Sequence, residues 1–96
     1  MTRTDTLDVA SAAARAAGHG AKEAARIGRL VAVMCICLRD APHGDPMHRQ
    51  QLAAEMRHRG IDPLARLVLQ RALTVALDAG VIERRTDGRL QLPWDF

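Results

Sequence analysis

The stretch LQRALTVALDAGVIERRTDGRLQL, residues 69–92, decides the fold because its hydrophobic period changes partway along. Up to Ala79 the apolar residues recur every three or four positions, which is the period of an amphipathic helix. After Gly80 they alternate with polar residues on either side of Thr86-Asp87-Gly88, a pattern typical of a β-hairpin. The stretch therefore predicts a helix that ends at Gly80 and a hairpin directly after it.

Two registers of this hairpin are compatible with its turn. A two-residue Asp-Gly turn would pair Glu83 with Leu92 and place a charge opposite an apolar side chain. A three-residue loop with its glycine in the left-handed conformation pairs Ile82 with Leu92 and Arg84 with Leu90. We expect the second register, because it keeps the three apolar residues on one face.

Upstream of this stretch, two Asp-Pro pairs divide the chain into further helices. Asp62-Pro63 is a cap followed by proline at the first helical position, so the last helix is predicted to begin there. Asp45-Pro46 repeats the signal and predicts a third helix that closes at Gly60. The residues that this third helix carries inward are Met47, Leu52, Ala53 and Met56.

The second helix is predicted over residues 21–40, followed by a loop at residues 41–44. Its core stripe at helical spacing consists of Ile27, Leu30, Val31, Met34 and Leu38. Val33 and Ile36 fall on the opposite side, so this helix is apolar nearly all round. Such a helix is either central or shared between subunits, and Val33 and Ile36 are therefore candidate interface residues of a homodimer.

The first helix is predicted to begin at a Thr4 or Asp5 cap and to run to Ala17. The residues that keep a helical spacing along it are Leu7, Ala10, Ala13, Ala14 and Ala17. Because alanine buries little apolar area, this helix is marginal alone, and we expect it to dock late or on a partner. It is the alternative to the second helix as the interface of a homodimer. We divide the chain into an N-terminal helical extension, residues 1–20, and one domain, residues 21–96.

The composition fits a single small globular domain. Of the 96 residues 48% are hydrophobic and 26% are charged, which is enough for one core and too apolar for a disordered chain. Trp94 and Phe96 are the only aromatic residues, so the core is expected to be aliphatic. We expect these two to fold back on the hairpin and the first helix, or else to anchor an interface with a partner.

Cys35 and Cys37 stand two positions apart in the apolar run LVAVMCICL, residues 30–38. Side chains at this spacing on a helix diverge by roughly 160°, so these two cannot share a metal ion or form a disulfide. We expect buried free thiols and a reducing compartment, and no bound metal. The run is about half of what a bilayer needs. With no secretory signal pattern, we expect a cytoplasmic protein without membrane contact.

Catalytic patterns are missing from the sequence. It contains no Gly-rich phosphate loop, no Ser-His-acid set and no paired carboxylates on an apolar face. We therefore expect neither enzyme activity nor a cofactor.

The charge balance is mildly basic, with 14 Lys and Arg residues against 11 Asp and Glu residues. A surplus of +3 permits binding to a polyanion but does not require it, because clustering on one face decides the attraction. All the basic residues except Lys22 are arginine. This bias favours either bidentate recognition of phosphate or guanine, or simply a GC-rich genome.

The order helix, short helix, turn, longer helix and hairpin resembles the winged helix-turn-helix domain of bacterial and phage transcriptional regulators. The resemblance covers residues 27–93 and is strongest in residues 69–92 and in MHRQQLAAEM, residues 47–56, which is similar to the positioning helix. It implies a mainly α fold of four helices with a small C-terminal β-hairpin, the wing. It further implies a recognition helix at residues 63–79 that enters the major groove of double-stranded DNA.

The resemblance also implies which side chains would touch DNA. On the recognition helix Arg66 and Arg71 would read guanine, Gln70 would read adenine and Thr74 would bind phosphate. Phosphate contacts from the wing and the preceding helix would come from Arg84, Arg85, Arg89, His48, Arg49 and Arg57. Asp78, at the far end of the same polar face, would repel phosphate.

The start of the recognition helix departs from the family pattern. Residues 63–65, Leu67 and Val68 are apolar where the family has small polar residues. This departure favours a surface that binds protein, as in winged helices that serve as adaptors or inhibitors. Two functions therefore stay open: a homodimeric regulator that occupies a DNA operator, and an adaptor that binds another protein through Leu67 and Val75.

Overall fold

The computed structural model describes residues 3–41, 45–61 and 66–93, and the side chains of residues 3–5, 66 and 67 are outside that description. The helices are α1 (Arg3–Ala16), α2 (Ala21–Arg39), α3 (Arg49–His58) and α4 (Arg66–Asp78). Strands β1 (Glu83–Arg84) and β2 (Leu90–Gln91) form an antiparallel sheet. The described chain is therefore mainly helical with a small hairpin near its C-terminal end, as predicted.

Helix α2 is the centre of the core because α1, α3 and α4 all pack against it. Ile27, Val31 and Met34 are fully buried, and Leu38 is nearly so, which confirms the predicted stripe; Leu30 is only partly buried. The candidate dimer residues of this helix, Val33 and Ile36, are half-buried, and Val33 packs against the core.

Helix α1 docks on α2 through small side chains. Ala10 and Ala14 are fully buried, while Gly28 of α2 lies directly against Ser11 and Leu7 of α1. A Cβ atom at position 28 would overlap Ser11 Oγ and would lie 3.0 Å from the carbonyl oxygen of Leu7. The lack of a side chain at Gly28 is therefore what lets the two helices approach so closely.

The predicted cap of α1 is wrong. The described helix already includes Arg3, so Thr4 and Asp5 lie inside its first turn. An acidic residue is also favoured inside the first turn, where it meets the positive end of the helix dipole. Residue types that suit a cap therefore do not fix the boundary by themselves.

Helix α3 begins three residues later than the Asp45-Pro46 pair predicts. Its first residue is Arg49 and its N-cap is His48, whose backbone N–H donates to Gln51 Oε1 at 2.9 Å. Residue 47 pairs instead with Leu90 in an antiparallel bridge, with N···O distances of 3.0 and 2.7 Å. This long-range pairing holds Met47 in an extended conformation, which the local sequence could not reveal, although its side chain is buried as predicted.

The expected three-residue hairpin loop is confirmed. Arg84 pairs with Leu90, and the Arg85 N–H donates to the Arg89 carbonyl oxygen at 2.7 Å. Gly88 has a φ of +86°, the left-handed conformation that the loop requires.

The strands are shorter than the predicted ranges 81–85 and 89–92. The N–H groups of Val81 and Ile82 donate to the Ala76 carbonyl oxygen at the end of α4, at 2.9 and 3.2 Å, and so do not extend β1. The predicted strand pairing of Ile82 with Leu92 is therefore not formed. Both side chains are buried. The helix ends as predicted, because Gly80 with a φ of +71° follows it.

Several predictions fall outside the described residues. They concern the loop residues 42–44, the cap at Asp62-Pro63, the apolar residues 64 and 65, and the aromatic residues Trp94 and Phe96.

We expect Gly28→Ala to lower the free energy of unfolding by about 1 to 3 kcal/mol, because the added methyl overpacks the contact between α1 and α2. In an open helix the same change would instead stabilise the protein by about 1 kcal/mol. Urea denaturation measures the difference, and Ser11→Ala in the Gly28→Ala chain should restore part of the loss. A Gly28→Ala protein more stable than the wild type would contradict this packing.

Candidate functional site

The solvent-facing side of α4 carries the predicted polar residues. Gln70, Thr74 and Asp78 are exposed, while Ala72 and Ala76 on the opposite side are completely buried. The backbone of residue 66 is helical as predicted, but its side chain, like that of Leu67, is outside the described part of the chain. Helix α4 thus presents an amide and a hydroxyl one turn apart on an accessible surface.

Val75 was expected to be available to a protein partner, and that expectation is wrong. Its side chain is 5% exposed and belongs to the core. Helix α1 packs against α4 on this side, and Ala13 and Ala17 stand with Val75 along a cleft of about 300 Å³. Val75 therefore belongs to the core, at the cleft where α1 docks against α4.

A basic groove lies between the N-terminal end of α3, helix α4 and the hairpin. It has a volume of about 450 Å³, and its lining residues are His48, Arg49, Gln50, Leu73, Arg84, Gly88 and Leu90. Arg49 and Arg84 are exposed, and within the described chain neither guanidinium pairs with a carboxylate. The groove therefore brings together two uncompensated cations from different elements.

At the tip of the hairpin, the side chains of Arg85 and Arg89 lie around the carboxylate of Asp87. Asp87 Oδ1 accepts the Arg89 backbone N–H at 3.0 Å, and Oδ2 lies 3.7 Å from Arg85 Nε and 3.8 Å from Arg89 Nε. That hydrogen bond, aided by the two guanidinium charges, lowers the pKa of Asp87. Arg89 Nε also approaches His48 Nε2 at 3.4 Å, which joins the hairpin tip to the edge of the groove.

The opposite flank of α4 is acidic. Arg71 Nη1 donates to Glu23 Oε1 of α2 at 2.9 Å, and His19 Nδ1 lies 3.5 Å from the same oxygen. Asp78 stands on this flank as well, on the rim of the cleft between α1 and α4. Gln70 and Thr74 line the same cleft. We call Glu23 and Asp78 the acidic flank; neither residue lines the basic groove.

One candidate phosphate contact is not brought to this surface. Arg57 is exposed at the C-terminal end of α3. It lies eight residues along the helix from Arg49, a rise of roughly 12 Å.

The cysteine thiols are buried and free, as predicted. Burial raises the pKa of Cys35 to about 12, and it also raises the pKa of Cys37, where Arg59 acts in the opposite direction. Among the described residues no three His, Cys, Asp or Glu side chains come together as metal ligands. Within the same residues no helix is both long enough and apolar enough to cross a membrane.

The chain matches no protein-family model, no curated protein and no solved structure.

The sequence did not indicate Glu23 as part of the site. This residue stands 48 positions before Arg71, and no local pattern links the two. Leu73 and Gly88 were likewise predicted for the core and the turn, and their place along the groove follows from how the hairpin packs on α4.

We expect both thiols to be inert toward a disulfide reagent such as DTNB in the native protein at pH 8, because the thiolate is the reactive form and burial disfavours it. Both should react at once in denaturant. Rapid labelling of the native protein would contradict the burial of the two thiols in α2.

Proposed function

We propose that this chain is a DNA-binding transcriptional regulator of the winged-helix type, without catalytic activity, that acts by occupying an operator. The observation that carries the proposal is the basic groove beside the exposed face of α4. Leu73 of α4 lines this groove, so a polyanion held by Arg49 and Arg84 would lie beside α4. Gln70 and Thr74 are exposed on the neighbouring face of the same helix, towards the cleft between α1 and α4.

The pairing of Met47 with Leu90 supports this proposal. It fixes the hairpin beside the start of α3, while Val81 and Ile82 fix the other end of the hairpin to α4. A wing that contacts the DNA backbone next to a recognition helix requires such a fixed position. The two arginines of the groove are thereby held on one surface despite their separation in sequence.

The exposed chemistry of α4 suits the major groove. An α-helix fits into that groove, where a glutamine amide can bond to N6 and N7 of adenine through two hydrogen bonds. Gln70 and Thr74 carry the polar groups for base or sugar-phosphate contacts, whereas Arg49 and Arg84 provide charge for the backbone. In this proposal the wing arginines Arg84, Arg85 and Arg89 contribute mainly to affinity, and Gln70 contributes to sequence preference.

A homodimer is part of the proposal. Two copies would place their α4 helices in successive turns of the major groove, as dimeric regulators of this type do. Val33 and Ile36 remain its candidate interface. They are half-buried in the single chain, so a partner helix would remove the rest of their apolar surface from water.

The adaptor alternative is less favoured by the structure. It depended on apolar contacts at Leu67 and Val75, and Val75 is buried beneath α1. The described polar face of α4 offers Gln70, Thr74 and Asp78 in their place, which suits a hydrated and charged partner better than a hydrophobic one.

We expect Arg49→Ala and Arg84→Ala each to weaken binding to a fluorescently labelled random-sequence duplex and to reduce the slope of log K against log salt by about 1. Fluorescence anisotropy at three salt concentrations measures both quantities. The matched control is Arg15→Ala, which removes the same charge from an exposed position in the last turn of α1. Arg15 is two residues from both Ala13 and Ala17, which line the cleft with α4, and so lies on the other face of α1. An equal effect of Arg15→Ala, or no salt-sensitive binding by the wild type, would contradict the proposal.

A further inference from the structure

We propose that Glu23 limits the affinity of this surface for DNA of arbitrary sequence, because its carboxylate competes with phosphate for Arg71. This inference rests on the proposed function and adds a residue that the sequence resemblance does not assign. It makes Glu23 a specificity-determining residue that acts through Arg71.

The ion pair between the two residues is well formed and accessible. Arg71 Nη1 and Glu23 Oε1 are 2.9 Å apart, and the side chains are 44% and 40% exposed. An exposed pair of this kind contributes little to folding, because water and salt screen it. It can therefore open when a competing anion approaches the guanidinium.

The position of Arg71 on α4 makes phosphate that competing anion. Thr74, three residues on, is exposed, whereas Val75, four residues on, is buried under α1. Arg71 therefore stands at the edge of the exposed face and not at its middle, which favours a phosphate contact in place of the guanine contact that the resemblance implies. When a helix lies in the major groove, side chains at its edges meet the sugar-phosphate backbone.

The surroundings of Arg71 oppose a phosphate at this edge. Glu23 already occupies one N–H of the guanidinium, and Asp78 adds a second carboxylate on the same flank. A phosphate that contacts Arg71 must displace Glu23 and come close to its negative charge. At the basic groove, a phosphate can contact Arg49 or Arg84 without displacing a carboxylate, because within the described chain neither guanidinium is paired with one.

A weaker contact between Arg71 and the DNA phosphates has a consequence for function. Contacts to phosphate supply the sequence-independent part of binding, and the ratio of specific to non-specific affinity decides operator occupancy in a genome. By weakening the contact between Arg71 and phosphate, Glu23 gives the base contact of Gln70 a larger share of the discrimination.

The test compares Glu23→Gln with Asp8→Asn, each as the full chain, on a labelled random-sequence duplex. Both variants remove one negative charge, but Asp8 is exposed near the N-terminal end of α1 and does not line the cleft between α1 and α4. We expect Glu23→Gln to bind about two- to fivefold more tightly than Asp8→Asn, the range expected when an exposed ion pair is released. We also expect its salt slope to steepen by about 1, because Arg71 gains a phosphate contact.

The same two substitutions in an Arg71→Ala chain show whether Glu23 acts by competing for Arg71 or by the long-range repulsion between its carboxylate and DNA. There Glu23→Gln should equal Asp8→Asn. A gain that persists without Arg71, or equal binding of the two single variants, would overturn the role of Glu23 while leaving the proposed function standing. Absence of salt-sensitive binding by both the wild type and Glu23→Gln would overturn the proposed function together with this inference. Thermal unfolding of each variant confirms that the compared chains are folded.

Discussion

The backbone pairing of Met47 with Leu90 is the constraint on which the rest of the surface depends. Leu90 lies between two partners, with residue 47 on one side and Arg84 on the other, and its side chain is 1% exposed. Because residue 47 is held extended, α3 can begin only after it. Arg49 therefore emerges at the start of that helix, across a short strand pairing from Arg84, and the basic groove is the space that results.

The surface built on this constraint is electrically asymmetric. One side of α4 has Arg49 and Arg84 without carboxylate partners in the described chain, whereas on the other side Glu23 engages Arg71 and Asp78 stands exposed. A net charge of +3 does not reveal this division. Clustering on one face makes a mildly basic protein attractive to a polyanion, and the acidic flank limits how much of the face the polyanion can use.

Local sequence signals predicted the parts of the fold that depend on near neighbours. The alternation around residues 86–88 selected the correct hairpin register, and glycine at position 80 marked the end of α4. Asp45-Pro46 misled because a contact between residues 43 positions apart overrides a local cap preference. The site was predictable in its residue types but not in its arrangement. The burial of Val75 and the pairing of Arg71 both depend on how α1 and the start of α2 pack against α4, which no periodicity encodes.

We propose that the basic groove and the exposed face of α4 form one nucleic-acid surface. Titration of the ¹⁵N-labelled protein with a short random-sequence duplex at low salt, followed by heteronuclear NMR, tests it residue by residue. We expect the largest amide shifts at Arg49, Gln70, Thr74, Arg84 and Gly88, and we expect them to shrink as salt is added. Shifts confined to the outer face of α1, or no shifts at all at low salt, would contradict it.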